Sequence, residues 1–189
     1  MARVADHPID PIFTARWSPR AMSGELISEA EIMQLLEAAR WAPSSTNSQP
    51  WRFVYAIGGT PTWKALHGTL AEGNRSWCER AGAFIVIGSV TAKPDGAPIL
   101  LHAFDSGAAW MSLALQAAKM GLVVHGMQGF NAAQAHPIVH APANVVLHCV
   151  AAVGRPGRVE DLTESQRARE MPNARHPVTS FSYRDRFSA

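Results

Sequence analysis

Three stretches of this chain hold side chains whose types and spacing could do chemistry. The first runs Ala42-Pro43-Ser44-Ser45-Thr46-Asn47-Ser48-Gln49-Pro50-Trp51-Arg52-Phe53. Pro43 and Pro50 bias Ala42 and Gln49 away from helix, so the polar part between them is stiffened at both ends. Its hydroxyls and amides can each donate and accept hydrogen bonds, which suits a ligand rich in oxygens and ring nitrogens. The plain alternative is a helix-to-strand connection whose polar side chains cap and turn the backbone. The second stretch is Arg16-Trp17-Ser18-Pro19-Arg20. In an extended chain, side chains two apart share a face, so Arg16, Ser18 and Arg20 can converge on one spot. Two guanidinium groups and a hydroxyl make a cradle for an anion, because the arginine fork matches phosphate oxygens. The plain alternative is a solvated basic terminus. The third is the turn Met127-Gln128-Gly129-Phe130.

Other constellations are absent or weak. No Gly-x-Gly-x-x-Gly follows a strand, and no phosphate loop ends in Gly-Lys-Ser/Thr. No Gly-x-Ser-x-Gly elbow is present. His136 and His140 have the spacing of a zinc pair, but Pro137 stands where that motif needs Glu, so no metal is expected. Cys78 and Cys149 read as buried small hydrophobes in a reducing cytoplasm. Oxyanion and amide contacts without an evident nucleophile point to a bound, phosphorylated organic cofactor that carries the chemistry itself.

The elements that must position these stretches are readable in outline. Residues 11–20 read as an extended entry segment. Ser28-Glu29-Ala30-Glu31 is a capping box, and Ile32, Leu35, Leu36 and Ala39 form one apolar helical stripe leading to Pro43. Trp51 to Tyr55 reads as a strand, Thr62 to Glu72 as a short helix, and Ala83 to Val90 as a buried strand. After a turn over 92–98, a long helix is expected from Ile99 to Met120. Its small residues Gly107, Ala108 and Ala109 permit close packing, and Gly121 supplies its C-terminal cap. Trp110, Met111, Leu113, Ala114 and Ala117 read as core or dimer packing. A short strand from Leu122 leads into the 128–130 turn, Asn131 caps a brief helix, and Val145 to Val153 is another buried strand. From Arg158 to Ala189 the chain is polar and arginine-rich, and reads as an arm laid over another surface.

Composition bounds what such a molecule can be. The chain has 189 residues, 47% of them apolar and only 17% charged, against a usual ~25% charged. So little charge implies apolar surface covered by a second copy, most simply in a homodimer. The net charge of +2 and a pI of about 8.8 are mild, and no basic run suggests nucleic acid. The N-terminus lacks an apolar leader core, and the apolar region from Ser106 to Val124 is broken by Gln116 and Lys119. A soluble, cytoplasmic protein is expected, with no membrane partner.

Arg16-x-Ser18-x-Arg20, then Pro43-Ser44-Ser45-x-Asn47-x-Gln49-Pro50-Trp51-Arg52-Phe53, then Gly121-Leu122 leading to Gly129-Phe130, resemble the FMN-dependent nitroreductase family. The resemblance covers nearly the whole chain, in the family's order. It implies an α+β fold with a mostly antiparallel sheet sandwiched by helices, one FMN-binding domain over 1–189, and a homodimer with a C-terminal arm (158–189) exchanged onto the partner. It implies that Arg16, Trp17, Ser18 and Arg20 meet the FMN and its phosphate. Pro43, Ser44, Ser45 and Asn47 would reach it from the other subunit. Met127, Gln128 and Gly129 would lie at the flavin ring, with backbone N–H facing the N5 edge. Asn74 would meet the pyrimidine end, and Arg175 would close on the phosphate, with Arg184 and Arg186 as alternatives. The implied reaction passes hydride from NADH or NADPH through FMN to a small-molecule acceptor: a nitroaromatic, a quinone or an activated alkene. No side chain is assigned a catalytic role. Relatives that dehydrogenate or oxidise by the same flavin, or destroy it, and a non-catalytic FMN-binding protein are the alternatives. Three departures stand out: Trp77 where some members carry lysine, with Arg75 as a substitute charge; Asn131 in place of an Asp; and little room after Glu72 for a substrate-covering insertion.

Overall fold

In the computed structural model, which describes residues 3–187, the chain enters through a single helical turn, α1 (Ile12–Ala15). The sequence reading had this stretch extended. Asp10 Oδ1 accepts from Ile12 N at 2.8 Å and starts the turn, and Pro11 is tolerated where no helical N–H is needed. Extended backbone begins at Arg16 (φ −65°, ψ 126°). Met1 and Ala2 of the expected leaderless N-terminus, and Ser188 and Ala189 at the end of the expected arm, lie outside the described residues.

Helix α2 (Glu29–Arg40) opens on the capping box: Ser28 Oγ accepts from Glu31 N at 3.3 Å, and Glu31 Oε2 accepts from Ser28 N at 3.0 Å. Ile32, Leu35 and Ala39 of its stripe are buried, and Leu36 packs against them. Strand β1 (Trp51–Ile57) follows the polar loop. Where one helix was expected, two form: α3 (Pro61–Thr69) and α4 (Glu72–Cys78). The break comes at Leu70, which is extended and bridges Phe130, while Ala71 N donates to Gly129 O at 2.8 Å. A long-range pairing therefore overrides the local helical pattern.

Strand β2 (Ala83–Val90) has the expected bounds. Helix α5 (His102–Lys119) starts three residues later than expected and is closed by Gly121 at φ +71°, the left-handed conformation glycine accepts without cost. Strand β3 (Val123–Met127), helix α6 (Ala132–Ile138), strand β4 (Val145–Gly154) and a last turn, α7 (Glu164–Arg167), complete the set. Asn131 Oδ1 caps α6 by accepting from Gln134 N at 3.1 Å.

The four strands form one sheet in the order β1-β2-β4-β3, every pair antiparallel. Both faces are covered, which is why β2 and β4 read as unbroken apolar runs. Ile85 and Ile87 of β2 and Ala151 and Val153 of β4 face α2 and α5. Phe84, Val86, Val150 and Ala152 face α3, α4 and α6. Within α5, Ala109, Leu113, Ala114 and Ala117 are buried, whereas Gly107 faces open space.

The tail is tied to the body of the same chain. Gln166 Nε2 donates to Ser76 Oγ at 3.0 Å, and Val178 N donates to Asp6 Oδ2 at 2.8 Å. Beyond that tie, Phe181, Tyr183 and Phe187 are exposed. No helix among the described residues is long and apolar enough to cross a membrane.

Candidate functional site

Where the chain leaves α1, the backbone directs Arg16, Ser18 and Arg20 into one cleft of about 520 Å³. Trp17 lies on its wall, and Arg175 reaches it from the tail. The alternation read from the sequence therefore brings all three expected side chains together. Arg184 and Arg186 do not line it; of the tail arginines Arg169 and Arg175 do, and Arg175 is the one the resemblance assigned to the phosphate.

The charges there are not equivalent. Arg20 lies 3.7 Å from Glu170 Oε2, and the backbone N–H groups of Arg20 and Ala21 donate to Glu170 Oε1 at 2.6 and 2.9 Å. Glu170, its side chain only 1% exposed, thus fixes the extended segment and offsets part of the Arg20 charge. Arg16 has no such partner. Its Nε is buried without a hydrogen bond, and burial, then the neighbouring Arg175 charge, push its guanidinium below the ordinary arginine value. Among the described residues, no ion pair includes Arg16 or Arg175. Burying a cation without a partner is costly, so this arrangement fits a bound anion.

The cleft follows β3. His125 lines it, with Nδ1–H donating to Pro19 O at 3.2 Å and its ring 4.6 Å from that of Trp77. Burial lowers the His125 pKa, which keeps the ring neutral near neutral pH. Trp77 is buried, so the position where a lysine was considered carries no charge; Arg75 is exposed beside it.

Three residues beyond His125, roughly 10 Å along a strand, comes the 128–130 turn. Gln128 and Gly129 are exposed, and Gly129 N–H donates to no described group. Asn74 Nδ2 donates to Gly129 O at 3.0 Å, so the residues expected at the pyrimidine end and at the N5 edge of a flavin lie side by side. A Cβ on Gly129 would come within 2.8 Å of Asn74 Nδ2, so a side chain here would displace that amide from its hydrogen bond. Met127, by contrast, is 2% exposed and packs in the core, leaving only its backbone to face a ligand.

The loop from Pro43 to Gln49 is elsewhere on the protomer. The cleft lined by Arg16 and Arg175 takes no residue from it, whereas Thr46 and Ser48 line a separate hollow with Arg52. Thr46, Asn47 and Gln49 hold positive φ (51°, 54° and 45°), an uncommon conformation outside glycine. The loop is held by Ser45 N donating to buried Asp105 Oδ2 at 3.1 Å and by Gln49 N donating to Ser44 Oγ at 3.0 Å. Pro43, Ser45 and Asn47 remain exposed.

Neither thiol competes as a nucleophile. Burial pushes Cys78 up to about 12 and Cys149 to about 11. His136 Nε2 meets Val145 O at 3.1 Å, and no group of three metal-ligating side chains forms among the described residues. Sequence reading missed Arg3, Glu170, Asp105 and His125. Arg3, Glu170 and Asp105 sit in no local motif, and His125, though inside the Gly121–Phe130 stretch, is fixed like them by a partner distant in the chain.

A family model described as the Nitroreductase family matches residues 13–60, the span holding both the Arg16–Arg20 segment and the polar loop. A crystal structure of an oxidoreductase containing FMN is 35% identical to this chain, covers 98% of it and 96% of that chain, and has a TM-score of 0.94. A Burkholderia lata protein, provisionally named an NADH dehydrogenase/NAD(P)H nitroreductase, is 26% identical over 107 residues, 56% of this chain and 54% of that protein. The match thus spans about half the length of this curated relative. A Desulfovibrio desulfuricans structure, provisionally named a nitroreductase and in complex with FMN, shares the fold at 21% identity, with a TM-score of 0.72 over 96% of this chain and 100% of that one.

Proposed function

We propose that this chain, which belongs to the FMN-dependent nitroreductase family, is a cytoplasmic oxidoreductase. It binds FMN, takes electrons from NADH or NADPH, and reduces a nitroaromatic, a quinone or an activated alkene. The observation that carries the reading is Arg16, a half-buried guanidinium whose buried Nε is unused, beside Arg175 and with no carboxylate partner among the described residues. A phosphate monoester, carrying about −1.5 to −2 charge at neutral pH, matches that need.

On this reading Arg16, Ser18, Arg20 and Arg175 hold the phosphate, and Trp17 covers the approach. Asn74, Gln128, Gly129 and the Met127 backbone present the polar edge that orients the ring. When bound, FMN supplies the hydride chemistry between nicotinamide and acceptor. The protein supplies position and charge: fixed N–H dipoles and guanidinium groups that need no reorganisation during reaction. No side-chain nucleophile is required, in keeping with thiols that stay protonated.

The working unit is a homodimer of one domain per chain, residues 1–189, with the end of the 158–189 arm crossing to the partner. Leu100 (85% exposed) and Phe104 (76%) lie at the open start of α5, beside Gly107, an apolar surface that a second copy would cover. Pro43, Ser44, Ser45 and Asn47 then serve the partner's flavin, which accounts for an exposed loop held rigid by Asp105. The test is aerobic and anaerobic turnover with each nicotinamide and a quinone. FMN-dependent consumption supports the reading. A flavin-loaded protein that oxidises neither nicotinamide would be a binding protein only.

A further inference from the structure

Arg3 lies ahead of the stretch that matches the family model, in a segment with no motif. Its guanidinium nevertheless joins the two halves of the cleft. Nη1 donates to Arg16 O at 2.6 Å and to Thr14 O at 3.2 Å, and Nε donates to Asn173 O at 3.0 Å. One side chain thus spans from the entry segment to the tail and grips the backbone beside both Arg16 and Arg175. Asp6 makes a second tie between the same two segments, through Val178 N.

Arg3, Arg16 and Arg175 together line two adjoining clefts, the one along β3 and another of about 540 Å³. None of the three has a carboxylate partner among the described residues. Burial, then Arg175 and Arg16 in turn, push Arg3 below the ordinary arginine value. A staple needed only to join two segments would not be built from a third like charge, since its repulsion opposes the joint. An anion between the segments reverses that sign.

We infer that Arg3 is a phosphate-binding and positioning residue: it holds Arg16 and the Arg175-bearing strap in place and adds a further positive charge toward the phosphate of a flavin nucleotide. The inference rests on the FMN reading above and assigns it a residue outside the family's motifs.

The experiment compares FMN with riboflavin, which lacks the phosphate, on wild type, Arg3→Gln and Arg3→Lys. Loss of one charge-assisted contact should weaken FMN roughly ten- to a hundredfold in Arg3→Gln, with riboflavin unchanged. Arg3→Lys should recover part of the loss, because charge returns without the fork. Equal weakening of FMN and riboflavin, or none of FMN, would overturn the role of Arg3. Thermal shift of the flavin-free protein with inorganic phosphate separates the two ideas. Stabilisation by phosphate that Arg3→Gln abolishes, in a protein that takes up no flavin, would keep the anion site and sink the FMN reading. FMN preferred over riboflavin equally by wild type and variant would do the reverse.

Discussion

Two groups of arginines in this molecule meet opposite fates. Arg155 lies between Glu25 and Glu31, at 3.2 and 2.8 Å, while Arg80 and Arg158 share Asp161 at 3.0 and 2.7 Å. There the pairing is complete: Asp161 and Glu31 are held below the usual carboxylate range, Asp161 first by Arg158 and Glu31 first by Ser28. Around the β3 cleft, Arg3, Arg16 and Arg175 crowd one another without a carboxylate, and burial lowers both Arg3 and Arg16. The same residue type staples secondary structure in one place and waits for a counter-ion in the other. Charge left unsatisfied by the fold is a candidate place for a ligand, and the proposed FMN phosphate would supply the missing counter-charge.

Mutations at both places can break this contrast. The largest effect is expected for Arg16→Ala combined with Arg175→Ala. Each lost contact should cost FMN binding about 1.5–3 kcal/mol, and the protein should emerge colourless; flavin retention at wild-type affinity in a titration would count against the cradle. Mixed dimers pairing an Arg16→Ala chain with an Asn47→Ala chain should keep one intact site, read as half the flavin content. Full loss of flavin there would remove the shared-site proposal. At the boundary between the groups, Glu170→Ala leaves the N–H groups of Arg20 and Ala21 without an acceptor. Urea unfolding should register about 1–3 kcal/mol of lost stability. Smallest of all, Arg155→Ala should change stability by about 0.2–1 kcal/mol, as exposed pairs do, and leave FMN affinity untouched. Because the Glu31 carboxyl is held below its ordinary 4.5, its contribution is present above that value and fades as pH falls through the lowered one. Arg155→Ala should narrow that acid-sensitive window slightly.

Local features of the fold were legible because their causes are local. The Ser28 capping box, the Gly121 cap and the period of α2 each lie within a few residues of sequence, and each forms as read. The Arg16–Arg20 alternation and the proline-bracketed loop were equally plain, and they fall in the span that the family model matches. What escaped depends on partners far along the chain. The break between α3 and α4 follows from Leu70 bridging Phe130, and the α1 turn from Asp10 beneath two prolines that suggested extension. Glu170 meets Arg20 across 150 residues and Arg3 meets Asn173 across 170, separations that leave no pattern to read. Met127 was expected at a flavin ring, but the packed structure turns its side chain into the core and leaves only its backbone for that role.

The most direct test of the unpaired-cation cleft is the phosphorus NMR titration of FMN bound to the wild-type protein. Free phosphate monoesters take up a second proton near pH ~6. Held by guanidinium groups that lack carboxylates, the bound phosphate should stay dianionic, with a resonance that does not move between about pH 5 and 7. A bound signal that titrates like free FMN, or no bound signal at all, would contradict it.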